Sequence, residues 1–298
     1  LVKMDLELKE EFANATARSR PYPANLADAE EIERQVQEGI ESNILEEYKG
    51  EGYPKHCSPC YLVDKPGSKA RRLVVVYCKV NKMTKNHPGT LPLMENTCER
   101  MAKCRYKSKV DLRSGFWQVE LTERAKDLLA FVTPKGRVYK WNVMPFGVSS
   151  APAIFQELMN KVLQKVRLRP RVKALLKRGA ELEVHIDDVC LGTNSQEDHL
   201  ILLEEFFLVC EEAFLRVRLE KCEFLREQLD FLGYEMGYGW WRPNPSKLQP
   251  LLSAQIQQST PTKSLKALQS FLGAANFYRR HVTNFTYSSA PLTDLIKK

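Results

Sequence analysis

At 298 residues and 34.3 kDa the chain can bury one large core or two to three small ones. No run approaches the ~18 apolar residues of a membrane span, and Asp5, Glu7, Glu10 and Glu11 with no apolar core argue against a transit peptide or secretory signal, so an intracellular setting is expected. A formal charge of +8 and a pI near 9.0 permit a polyanionic partner without requiring one.

In chain order, Asp28-Ala29-Glu30-Glu31 reads as an N-cap with a glutamate three residues on, and Ile32, Val36 and Ile40 then share a face. The pattern predicts a helix from about 29 to 45. Pro54 to Pro59 breaks it. Tyr61-Leu62-Val63 and Leu73 to Tyr77 then flank a basic tip containing Pro66-Gly67, which predicts a β-hairpin. Residues 106 to 121 read as strand, turn at Ser114-Gly115, then a short helix or strand, and a second hairpin is expected from 128–132 and 138–143 around Pro134-Lys135-Gly136. After Met144-Pro145-Phe146-Gly147, Ser149 or Ser150 caps a helix with Pro152 in its first turn and Ile154, Leu158 and Val162 on one face.

That helix runs into Lys161, Lys165, Arg167, Arg169, Arg171, Lys173, Lys177 and Arg178, with no acid before Glu181. Two readings stay open: a solvated charged linker, or a surface for phosphate. Next, Glu183 to Ile186 and Val189 to Gly192 form a tight hairpin with Asp187-Asp188 at its tip, followed by a helix from 196 to 214. Short strands occupy 223–236, Pro243 and Pro245 mark a boundary, and a helix from about Thr262 carries Leu265, Leu268, Phe271 and Leu272. Eight cysteines are scattered apart from Cys57-Ser58-Pro59-Cys60; without a second pair at ligand spacing, this pair reads as structural and the thiols fit a reducing compartment.

Asp187-Asp188 lies between β-branched runs, and Asp111 ends a similar run far upstream. An Asp-Asp turn alone is commonly structural, because aspartate hydrogen-bonds locally in turns. If the three carboxylates converge, they suit hard Mg²⁺, and a pair of such ions about 4 Å apart serves nucleotidyl transfer.

Five blocks in order resemble reverse transcriptases of gypsy-type LTR retrotransposons: 109–118 around Asp111, 144–156 from Met144 to Gln156, His185-Ile186-Asp187-Asp188, 219–224 with Lys221, and Phe231-Leu232-Gly233. The tail 270–280 is similar to the segment C-terminal to the polymerase core in that family, so the resemblance covers roughly 20–298. It implies an α+β right-hand polymerase fold. An N-terminal extension spans 1–19, fingers 20–84 and 117–146, palm 85–116 and 147–240, and a thumb or connection 241–298, with no RNase H. It also implies RNA-directed DNA synthesis with two Mg²⁺, deoxynucleoside triphosphates, an RNA template and a DNA or RNA primer, in a cytoplasmic retroelement particle.

By the same resemblance Asp111, Asp187 and Asp188 ligate the metals and Lys221 donates a proton to pyrophosphate. Lys65 and Arg72 hold triphosphate, Phe116 lies under the sugar and excludes a 2′-hydroxyl, and Gly147 and Gln156 border the nucleotide, unless Gln156 is a plain surface residue. Nucleic acid would lie on Lys165, Arg167, Arg169, Arg171, Lys173, Lys177 and Arg178, as an added loop. The family usually has tyrosine at His185, aspartate at Val76 and arginine at Cys78. These departures keep an alternative alive: an inactive reverse-transcriptase fold serving as an RNA-binding or structural subunit of a larger assembly.

Overall fold

The computed structural model describes residues 2–64, 67, 70–87, 89, 92–253 and 261–297. Within the N-terminal stretch, Met4 bridges Leu121 and is buried with Leu6 in the main core. β1 (Ala17–Arg18) then pairs with β3 (His56–Asp64). Between them lie α1 (Leu26–Glu41) and β2 (Leu45–Glu47).

α1 starts three residues earlier than its pattern predicts, because the Asn25 side chain accepts the Asp28 N–H at 2.7 Å and so caps the helix. Asp28 is thereby freed to pair with Arg71 of β4 (Arg71–Val75). From the same helix the Gln35 amide binds the Arg71 carbonyl and the Leu73 N–H, both at 2.9 Å, satisfying the exposed edge of β4. β3 carries Pro59 inside it, where a break was expected; its carbonyl accepts the Val76 N–H at 2.9 Å and no ladder needs the missing donor. Cys57 and Cys60 are buried on this strand, and burial pushes the Cys60 thiol up to about 12, in keeping with a structural role.

α2 (Cys78–Met83) and α3 (Met94–Ala102) precede β5 (Tyr106–Asp111). α4 (Glu123–Leu128), β6 (Phe131–Val132) and β7 (Val138–Trp141) follow, so the second hairpin is shorter than expected and its first limb is partly helix. β6 and β7 join the first sheet, whose order is β1-β3-β6-β7-β2 with β4 on β3. Segments on either side of β5 therefore build one sheet.

α5 (Ala151–Leu168) and α6 (Pro170–Lys177) lead to β8 (Glu181–His185), β9 (Asp188–Thr193) and α7 (Gln196–Glu212). The basic stretch is thus helical, not an added loop; Pro170 starts a second helix where it cannot continue the first. With β10 (Glu223–Arg226), these strands form a central antiparallel sheet of order β10-β5-β9-β8. Val189 and Leu191 join the main core with α5 and α7, whereas Cys190 packs with Cys98 and Met101 of α3. Cover on both faces explains why this run is apolar without alternation.

β11 (Leu229–Phe231), β12 (Tyr234–Gly237) and β13 (Trp240–Pro243) make a third small sheet against α3. α8 (Pro245–Leu252), α9 (Pro261–Phe277) and α10 (Phe285–Lys297) complete the chain. They attach through Tyr234, stacked on Phe277 at 5.8 Å, through Trp241 edge-on to His281 at 4.9 Å, and through the Arg280–Glu95 ion pair at 2.8 Å.

Candidate active site

The β8–β9 turn is Ile186-Asp187, and Ile186 adopts φ +58°, a left-handed conformation that a β-branched residue rarely takes. Gln156 on α5 holds it there. Its Oε1 accepts the Ile186 N–H at 2.7 Å, and its Nε2 donates to the Val184 carbonyl at 3.1 Å and to Asn160 at 2.9 Å. Gln156 is 2% exposed and so is no surface residue: its amide is used on the backbone of the turn. Asp187 then lies against Gly115, where a Cβ would come within 3.3 Å of the Asp187 Cβ and 3.1 Å of Phe155. A side chain at 115 would press on both.

Asp111 ends β5 directly opposite Asp188, which in turn pairs with His185. Its backbone is fixed from the other side, where the Arg218 N–H donates to the Asp111 carbonyl at 2.9 Å and the Asp111 N–H donates to Cys222 Sγ at 3.4 Å. Burial pushes the Asp188 carboxyl up, the Lys109 ammonium 3.7 Å away pulls it down, and Asp187 and Asp111 raise it again. A carboxylate raised by burial and by its acidic neighbours is a donor that a hard cation relieves. Among the described residues no three or more His, Cys, Asp and Glu side chains come together in a group that could by itself hold a metal ion. Mg²⁺ needs no such group, since one or two carboxylates suffice when waters and substrate phosphates complete its shell. The donors present fit it.

Phe116 is half-buried beside this edge, its ring 5.2 Å from Phe146 and 5.5 Å from Phe155. Gly147 has φ +91°, and Asn81 clamps its turn by donating to the Gly147 carbonyl at 2.9 Å and accepting the Ser149 N–H at 3.0 Å. Arg72 is exposed and lines a cavity of about 470 Å³ with Arg34, Trp117, Trp141 and Phe146. Lys65 lies outside the described residues. Lys221 is exposed, next to the Cys222 that holds Asp111.

The basic stretch lies elsewhere. Arg167 donates to the Leu182 carbonyl and sits eleven residues along α5 from Gln156, about 16 Å by helical rise. Arg169 pairs with Glu205 and Glu212, Arg171 with Glu204 and Glu205, and Arg178 with Asp198, all on α7. Lys165, Lys173 and Lys177 are exposed and form no ion pair among the described residues.

Sequence reasoning missed three residues. Lys109 stands two positions before Asp111 on one strand face, a spacing that was visible. Phe146 is 56% exposed beside Phe116. Asn81 offered no local signal, because its partners are 66 and 68 residues away.

The family described as Reverse transcriptase (RNA-dependent DNA polymerase) matches residues 63–236, more than half of the chain. The Retrovirus-related Pol polyprotein from transposon 297 of Drosophila melanogaster is 32% identical over 289 residues, 96% of this chain and 25% of that protein. The Enzymatic polyprotein of Cauliflower mosaic virus (strain NY8153) is 27% identical over 99% of this chain and 41% of its own length. The chain thus spans a quarter to two fifths of these relatives. Foamy viral protease-reverse transcriptase superposes in complex with double-stranded DNA, at a TM-score of 0.79 and 25% identity over 96% of this chain and 47% of that one. It does so also in complex with an RNA/DNA hybrid, at 0.78 and 26% over 96% and 35%. The fold is the right-hand polymerase fold.

Proposed function

Because the chain belongs to the reverse transcriptase (RNA-dependent DNA polymerase) family, we propose that it extends a DNA or RNA primer on an RNA template with deoxynucleoside triphosphates. The observation that carries this reading is the cross-strand pairing of Asp111 with Asp188 beside Asp187. These three would hold two Mg²⁺ ions, which when bound lower the charge on the attacking and leaving oxygens.

The chain's own groups do the rest by positioning. Gln156 and Gly115 set the turn that carries Asp187. Phe116, backed by Phe155, forms a floor that a ribose 2′-hydroxyl would strike. Gly147 lets its backbone approach the nucleotide, Lys65 and Arg72 hold triphosphate, and Lys221 gives the leaving pyrophosphate a proton. In this reading the fingers span 20–84 and 117–146, the palm 85–116 and 147–240, and the thumb begins at 241; β2, β3, β4, β6 and β7 fall in the fingers, and the central sheet in the palm. Among the described residues no helix is long and apolar enough to cross a membrane, and a retroelement particle in the cytoplasm is the setting this reading assigns.

Primer extension on an RNA template with Mg²⁺ tests it. Wild type should extend the primer, and Asp187→Asn or Asp188→Asn should lose on the order of 10³-fold in rate. The uncharged Val76, just past β4, and Cys78, at the start of α2, favour a second reading, an inactive fold that binds RNA within a larger assembly. Wild type as inactive as Asp187→Asn, with RNA still bound, would establish that one instead.

A further inference from the structure

Leu112 forms an antiparallel bridge with Val217, and both side chains pack into the main core. Alternation along paired strands sends their neighbours to the other side. Asp111 and Arg113 are therefore carried on the solvent face from one strand, and Arg216 and Arg218 from the other. The hydrogen bonds agree: the Arg113 N–H donates to the Arg216 carbonyl, and the Arg218 N–H to the Asp111 carbonyl, both at 2.9 Å. Arg113 thus stands opposite Arg216, and Arg218 opposite Asp111. Gln118 locks the arrangement, donating to the Arg113 and Arg216 carbonyls at 2.7 and 3.0 Å and accepting the Arg216 N–H at 2.7 Å.

Like charges directly opposite in such a pair oppose folding unless an anion joins them. Elsewhere the chain supplies one: Arg100, Arg124, Arg169, Arg171, Arg178 and Arg242 each pair with an acid. Among the described residues none of Arg113, Arg216 and Arg218 does, although Arg113 and Arg216 are exposed on backbone that Gln118 holds in place. Lys221 adds a fourth cation three residues after Arg218.

We propose that Arg113, Arg216 and Arg218 form a polyphosphate cradle beside the carboxylates, holding the β- and γ-phosphates of the incoming nucleotide and then the pyrophosphate released. This rests on the polymerase reading and gives it a leaving-group site. In that reaction the primer O3′–Pα bond forms, the bond from Pα to the bridging oxygen of the β-phosphate breaks, the electron pair leaves on pyrophosphate, and the 3′-hydroxyl proton passes to water. Guanidinium forks suit an anion with several oxygens.

The test compares wild type with the double variant Arg113→Gln/Arg216→Gln and its Lys/Lys counterpart, using inorganic pyrophosphate with Mg²⁺ as probe in calorimetry and as product inhibitor of primer extension. The Gln pair should weaken pyrophosphate about tenfold or more and raise KM for the nucleotide, the Lys pair should recover part, and primer–template affinity should stay within twofold. Unchanged pyrophosphate affinity overturns the proposal, as does a loss confined to primer–template binding, which would assign the arginines to nucleic-acid backbone. If wild type extends no primer, the polymerase reading fails, and calorimetry still decides whether the arginines bind pyrophosphate.

Discussion

The ammonium of Lys109 stands 3.7 Å from Oδ1 of Asp188, inside the field of the carboxylates that are to bind metal. A fixed cation there opposes an arriving one. Lys109→Met should tighten Mn²⁺ binding about fivefold, the size of one unit charge at a few ångströms in wet surroundings, as read by electron paramagnetic resonance of free Mn²⁺. Weaker binding in the variant would mean that Lys109 instead orients Asp188.

Gln156 predicts a separation of activity from stability. Gln156→Leu leaves the Ile186 N–H and Val184 carbonyl without partners, which should cost about 1–3 kcal/mol in denaturant unfolding. With the turn released, kcat should fall roughly 10- to 100-fold with KM little changed, because a small displacement of Asp187 is enough. Wild-type kcat at reduced stability would show that the turn keeps its shape without the clamp.

Phe116 makes a prediction about sugar discrimination. Phe116→Val keeps an apolar side chain but opens the floor backed by Phe155. The ratio of kcat/KM for deoxynucleotides over ribonucleotides should drop by about 10- to 100-fold, mostly through faster ribonucleotide use. An unchanged ratio would place the steric gate elsewhere.

His199 is buried on α7 with Nε2 2.7 Å from Ser108 Oγ and Nδ1 2.9 Å from Thr193 Oγ1, and burial pushes its imidazole down from 6.5 to about 4. Above pH 6.5 the ring is neutral in both folded and unfolded chains and contributes no pH slope. As pH falls from 6.5 to about 4 the unfolded chain takes up a proton that the folded one refuses, so stability drops by of order 3 kcal/mol and then levels off. In urea unfolding, the stability advantage of wild type over His199→Gln should shrink by that amount between pH 7 and pH 4. A constant gap would show that His199 becomes protonated without unfolding.

Much of this was legible in the sequence because it is local. The turn residues Ser114-Gly115, the β8–β9 hairpin and the faces of α5 and α9 come from neighbouring side chains and short-range periodicity. Gln156 was misjudged because its amide meets residues 28 and 30 positions on, a distance no periodicity reports. The ion pairs of the cationic run were hidden for a similar reason. Its countercharges lie on α7, 20 to 43 residues later, and only the packing of α6 on α7 brings them together. α4 escaped notice because six residues give too short a window for a helical period.

The pairing of Arg169, Arg171 and Arg178 with the acids of α7 also changes how the +8 charge should be counted. A polyanion sheds condensed counterions only where a protein cation replaces them. Arginines already neutralised on the protein's own surface replace none, and the glutamates beside them push a phosphate away. Most of the ionic-strength sensitivity of nucleic-acid binding must therefore come from unpaired cations such as Arg20 and Arg226. Converting Arg171 to glutamine should leave the slope of log K against log salt unmoved, and converting Arg226 should lower it by about one. A basic stretch in a sequence is a stock of charge, and the fold decides how much of it reaches the outside.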